Sequence, residues 1–117
     1  MKSVVLVSFF GLFVLSGEAW SQAFNCNFAK QADELTICRD DSLKALDEQM
    51  ADRFFKIRQQ LPTDGQAQLK AGQKDFLSRR KFCGTDGDCI EGMYKERLET
   101  LCSLANDFGV ACDSTGE

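Results

Sequence analysis

The chain has 117 residues, room for one small domain, and its 18 acidic against 14 basic residues leave a formal net charge of −4. An acidic chain without a basic patch is a poor match for nucleic acid or for an anionic membrane surface, and suits a basic partner better. Histidine is absent, which removes the commonest general base and metal ligand.

Met1 and Lys2 precede an apolar run from Val4 to Leu15, and Ser21-Gln22-Ala23 supplies the small residues of a cleavage site. This is the pattern of a secretory signal peptide over residues 1–23, cut before Phe24, with Gly17-Glu18-Ala19 as a second candidate cut. The run is short for a bilayer span, and Phe24-Asn25 is too bulky for the box that precedes a lipidated cysteine. The expected product is a secreted or periplasmic domain, residues 24–117, with no stable membrane insertion after cleavage. Losing Lys2 and Glu18 keeps the net charge unchanged. All six cysteines lie in that part, and an even count in a small exported chain reads as a disulfide framework. A core of this size benefits from such staples.

Repeats, low-complexity runs and strand-like alternation are absent, and Pro62 is the sole proline. The fold class is therefore all-α: three main helices in a small disulfide-stapled antiparallel bundle, plus a short N-terminal helix. The short helix spans Ala32 to Cys38, with Asp33 and Glu34 placed where a helix N-terminus favours negative charge. Asp40 or Asp41 caps the first long helix, whose apolar stripe is Leu43, Leu46, Met50, Phe54, Ile57 and Leu61. Phe55 lies just off that stripe and is expected to widen the buried face. Pro62-Thr63-Asp64-Gly65 ends the helix, and Thr63 with Gln66 has the form of a capping box for the second. So short a connection makes these two helices antiparallel neighbours.

The second stripe, Leu69, Gly72, Gln73, Phe76, Leu77, Arg80 and Cys83, contains members unusual for a core. Gly72 points to close approach of another helix, since glycine inside a helix costs about 1 kcal/mol against alanine. Gln73 and Arg80 need buried partners. Asp88 with Glu91 repeats the capping arrangement for a third helix, Cys89 to Asn106. Its inward residues are Ile90, Met93, Tyr94, Leu98, Leu101 and Leu104, with Arg97 on the same face. Residues 106–117 form a partly irregular tail, fraying beyond Cys112.

Cysteine pairing cannot be read from counting, but helical spacing prunes the choices. Cys38 and Cys83 fall at one end of the first hairpin, with Cys26 and Cys89 close in sequence to that end. Cys102 lies about thirteen residues into the third helix, roughly 20 Å away at about 1.5 Å per residue. That distance is far beyond disulfide reach. Cys102 then pairs with Cys112, and of the remaining combinations Cys26–Cys38 with Cys83–Cys89 asks least of the chain.

Three groups of residues resemble a known family. Cys26, Glu34-x-x-Ile37-Cys38 and Leu43-x-x-Leu46-Asp47 resemble the opening of the LprI-like family of exported bacterial proteins. Gln73-x-x-Phe76-Leu77-x-x-Arg80-x-x-Cys83-Gly84 resembles its central motif, and Cys89, Tyr94, Arg97-Leu98 and Leu101 its closing helix. The family usually carries Trp at the position of Phe76, and Cys102, Cys112 and the tail lie outside its common pattern. The resemblance implies an LprI-like helical domain that binds lysozyme, or another basic cell-wall hydrolase, and blocks its cleft. An inhibitor acting by occlusion needs no cofactor, and no enzymatic activity is expected. Two other readings use the same scaffold: a non-inhibitory structural protein of the cell envelope, and an immunity protein against a secreted toxin.

The chemical candidates follow from residue type. Oxidised cysteines offer neither a thiolate nucleophile nor a zinc site. Asp40/Asp41 and Asp86/Asp88 are paired carboxylates, but at exposed helix starts rather than in a cleft that raises a pKa. Thr85-Asp86-Gly87-Asp88 holds only part of a calcium loop. The sharper expectation is that Asp40, Asp41, Asp86 and Asp88 form a rigid acidic partner-binding pole, with Asp33 and Glu34 nearby. Asp47, Gln73, Phe76, Arg80, Tyr94 and Arg97 are expected to be structural. In that reading the Asp47 carboxylate pairs with arginines of the second and third helices and sets their register.

Overall fold

A computed structural model describes residues 25–112; the signal-peptide reading and residues 113–117 lie outside that range. Among the described residues the secondary structure is entirely helical. A 3-10 turn at Cys26–Phe28 leads into α1 (Ala32–Cys38), α2 (Asp41–Arg58), α3 (Thr63–Cys83) and α4 (Gly87–Asp107). None of these helices is long and apolar enough to cross a membrane.

The helix starts differ in detail from the expected caps. Asp40 caps α2, its Oδ1 accepting from the backbone N–H groups of Ser42 and Leu43 at 2.9 and 3.2 Å. In α1 the Glu34 side chain accepts from the N–H groups of Lys30 and Gln31, which leaves Asp33 free for another task. Thr63 is not a cap: Pro62 occupies that position, and the Gln66 amide reaches back to the carbonyls of Arg58 and Leu61. Nor does Asp88 cap α4. The helix begins earlier, and Asp86 accepts from the N–H groups of Asp88 and Cys89, both at 3.1 Å. Asp86 has the extended backbone a cap requires, whereas Asp88 already lies inside the first turn.

α4 is the hub. It buries Ile90, Tyr94, Leu98, Leu101 and Ala105 along one face, and both α2 and α3 pack chiefly on it, touching each other much less. The short connection leaves α2 and α3 with little mutual contact, although Gln73 of α3 reaches Met50 of α2; the wide apolar face of α4 decides what each one covers. Contacts between α2 and α4 climb both helices in step, from Leu43 beside Gly87 to Asp47 on Tyr94 and Arg53 on the Leu98 carbonyl. Contacts between α3 and α4 run the other way, from Arg80 on Tyr94 to Leu69 on Arg97. α1 packs against all three long helices.

Phe55 does not join the core. It is 40% exposed and meets Phe54 edge-on. The chain after α4 turns back onto the bundle as far as Cys112, beyond which the expected fraying lies outside the described residues. Gly109, at φ 72°, follows the helix, and the N–H groups of Gly109 and Val110 return to the carbonyls of Asn106 and Ala105. This is a Schellman ending, which needs a left-handed residue and hence glycine. It folds Val110 into the core beside Ala105 and brings Cys112 back to Cys102.

The cystines are Cys26–Cys38, Cys83–Cys89 and Cys102–Cys112, with Cα separations of 5.8, 5.5 and 5.2 Å. No described cysteine is free. The first two lie against the starts of α2 and α4, and the third ties the far end of α4 to the chain that follows it.

Candidate functional site

Two sets of polar residues stand out, one buried and one exposed. The buried set begins at Asp33, which is fully buried. Its Oδ2 accepts from Arg80 Nε at 2.7 Å. Arg80 Nη1 donates to the Tyr94 hydroxyl at 3.0 Å, and that hydroxyl donates to Asp47 Oδ1 at 2.8 Å. One residue from each of α1, α3, α4 and α2 thus enters a single chain of hydrogen bonds. Phe76 completes it, meeting the Tyr94 ring at 5.1 Å edge-on, with the Arg80 guanidinium 5.9 Å from the Phe76 ring centre.

This arrangement corrects the expected partners. Arg80 makes its buried ion pair with Asp33, while Asp47 receives the hydroxyl of Tyr94. Arg97 does not pair with Asp47 at all: it donates to Gln73 Oε1 at 3.0 Å and to the Leu69 carbonyl at 3.2 Å. Gln73 in turn donates to the Met50 sulfur at 3.4 Å. Asp33 is likewise withdrawn from the acidic surface with which sequence had grouped it. Its small helix is turned so that the first-turn carboxylate faces α3, where a long arginine can reach it.

Burial and neighbours set the protonation states. Burial pushes the Tyr94 hydroxyl far above its ordinary range, so it remains a donor to Asp47. For Arg80, burial opposes the charge, but Tyr94 and Asp33 outweigh it and the guanidinium holds its proton more firmly than usual. The Asp47 carboxyl is raised, because burial outweighs the help of Tyr94 and Arg80. The folded protein therefore binds this proton more tightly than the unfolded chain does. Stability falls as pH rises from the ordinary carboxylate range through the raised value, then levels off. Asp47→Asn keeps an acceptor for Tyr94 and is expected to remove that fall. The check is a set of urea midpoints from pH 3.5 to 7 on both proteins, where parallel curves would contradict it.

The exposed set is the proposed pole. Asp40, Asp41, Asp86 and Asp88 are all exposed. The two helix starts that carry them are neighbours, since a Cβ built on Gly87 would lie 4.0 Å from Leu43 Cδ1. Asp40 and Asp86 spend one carboxylate oxygen on helix amides, and Asp41 has Lys44 4.0 Å away in an exposed pair worth little. Arg39 is exposed in the same turn, so the negative charge is local to the two starts. Among the described residues no group of three or more His, Cys, Asp or Glu side chains is placed to hold a metal ion.

Sequence reading missed two exposed rings at this pole. Phe82, 87% exposed, immediately precedes Cys83, and Phe28, 74% exposed, sits two residues after Cys26. Large apolar side chains this exposed, on backbone held by cystines, are candidates for contact with another molecule. The available signal was position, because Phe82 falls off the buried stripe of α3. Comparison with protein-family models, characterised proteins and solved structures finds no match to this chain.

Proposed function

We propose that this is an exported binding protein that offers a cystine-held acidic pole to a basic protein, with lysozyme or a related muramidase as the target. It acts by occlusion, as a plug of fixed shape, and no cofactor takes part. The target class comes from the LprI-like resemblance. The observation that carries the binding surface is the nearness of Gly87 to Leu43, a Cβ built on Gly87 lying 4.0 Å from Leu43 Cδ1, which supports two acidic helix starts side by side. Stepwise contacts of α2 with α4, and reversed ones of α3 with α4, support an up-down-up antiparallel bundle beneath that surface. Three cystines agree with an oxidising compartment and thus with export.

The pole costs little to order on binding, because two cystines and two capped helices already hold it. Its carboxylates steer a cationic partner, and Phe82 supplies the kind of aromatic anchor that carries interface energy.

The test is titration of the oxidised protein into a panel of lysozymes while cell-wall clearing is followed. Dose-dependent protection is expected. Absence of protection by correctly oxidised protein, across the panel, rejects inhibition. The surface has its own test, designed around Asp86 being a cap: alanine there removes a helix cap as well as a charge, at about 0.5–2 kcal/mol. The triple variant Asp41→Asn, Asp86→Asn, Asp88→Asn keeps an oxygen acceptor at position 86. It is expected to melt close to the parent and to bind its target at least about tenfold more weakly. Unchanged affinity would mean the partner is met elsewhere.

A further inference from the structure

A cleft of about 250 Å³ opens between α3 and α4, away from the acidic pole. Buried Phe76 and Arg97 line it with Gly72, and exposed Asp75, Arg79 and Glu96 rim it. Arg97 is only 8% exposed, yet among the described residues no carboxylate stands within ion-pair distance of it. Its partners are all neutral: Gln73 Oε1, the Leu69 carbonyl, and Thr100 Oγ1 at 3.2 Å. Each takes one N–H, and a guanidinium has more to give. A buried cation with no carboxylate in contact is costly: burial draws the Arg97 pKa down to about 10, against the pull of the Asp75 charge nearby.

Gly72 lets that charge lie at the wall of the cleft. A Cβ there would come within 2.8 Å of Arg97 Nη1, so only a glycine allows the guanidinium to rest against the α3 backbone, where both residues line the cleft. At the rim, Arg79 stands between Glu96 at 3.2 Å and Asp75 at 3.7 Å. A plain anion meets Asp75 and Glu96 on the way in, and a plain cation meets Arg79 and Arg97. A molecule carrying both charges satisfies floor and rim together. The volume lies just under the usual ligand range of about 300–1,000 Å³, so the occupant is small.

We propose that this cleft binds a small zwitterionic carboxylate of free-amino-acid size, with its carboxylate on the Arg97 guanidinium and its ammonium against Glu96. A carboxylate on guanidinium N–H groups forms charge-assisted hydrogen bonds, the strong kind. It also places a carboxylate in direct contact with Arg97, which Asp75 acts on only from beyond ion-pair distance.

Glycine, acetate and methylammonium titrated into isotope-labelled oxidised protein test this, read by NMR at the Arg97 side-chain Nε–H and the Gly72 and Thr100 amides. Glycine is expected to give saturable shifts in the millimolar range, with acetate and methylammonium at least about tenfold weaker. Glu96→Gln alters an exposed side chain, leaves melting unchanged, and is expected to reduce glycine to the level of acetate. Linear, non-saturating shifts with glycine overturn the proposal. So does acetate binding as tightly as glycine, or a Glu96→Gln protein that still prefers glycine.

Discussion

Replacing Arg80 by Met is expected to lower the unfolding free energy by about 3–5 kcal/mol, the loss typical of breaking a buried ion pair from one side. Asp33 has 0% exposure and one oxygen, Oδ1, that already has no hydrogen-bond partner among the described residues. Removing the guanidinium from Oδ2 leaves a carboxylate with neither water nor a cation. Methionine fills much of the space of the arginine stem, so the loss is electrostatic rather than a cavity effect. The control is Asp33→Leu with Arg80→Met, which removes both charges and should recover most of the lost stability. Urea denaturation with the cystines intact measures both. A single variant within about 1 kcal/mol of the parent would show that the pair contributes little.

Tyr94→Phe is the second large effect, at about 1–3 kcal/mol and toward the upper end because both hydroxyl partners are ionisable. The hydroxyl accepts from Arg80 and donates to Asp47, so one deleted oxygen removes a hydrogen bond from a buried arginine on α3 and another from a buried carboxylate on α2. The ring stays, and with it the contact with Phe76. The loss should shrink at low pH, where a protonated Asp47 no longer holds an unsolvated charge. In the double variant Tyr94→Phe, Asp47→Leu the further loss should be small. Equal and additive losses would mean that the hydroxyl and the carboxylate act separately.

The two sets of residues have different duties. The chain Asp33–Arg80–Tyr94–Asp47 draws one side chain from every helix, and a register slip in any helix breaks it. That makes it a device for specifying one packing, bought with desolvation rather than with surface. The pole needs only that the packing be right, because its carboxylates ride on the helix starts.

Helix number, the stripes of α2 and α3, and the neighbouring of the cysteines were legible in the sequence because each depends on local spacing. Step sizes of three and four place Leu43, Met50, Phe54 and Ile57 on one face, and all are buried. Gln73, Arg80 and Arg97 were legible as buried polar positions for the same reason. Their partners were not. Asp33 sits in a short helix whose rotation depends on packing against α3, and nothing in its own neighbours distinguishes a carboxylate facing the dipole from one facing an arginine. Cap identity failed by a residue or two at α3 and α4, where several Asp and Thr side chains compete within one turn. The use of Gly109 and Val110 was written in the chain as Phe-Gly-Val after a helix, but its effect, a buried valine, depends on α4 having a core to return to.

By itself, then, the sequence determined helices, their inward faces and which cysteines can meet, since these are set by periodicity along one chain. Tertiary structure alone decided that α4 is the hub, that Arg80 answers Asp33, and that Arg97 has no carboxylate in contact. Those outcomes depend on which side chains from distant segments compete for one buried space.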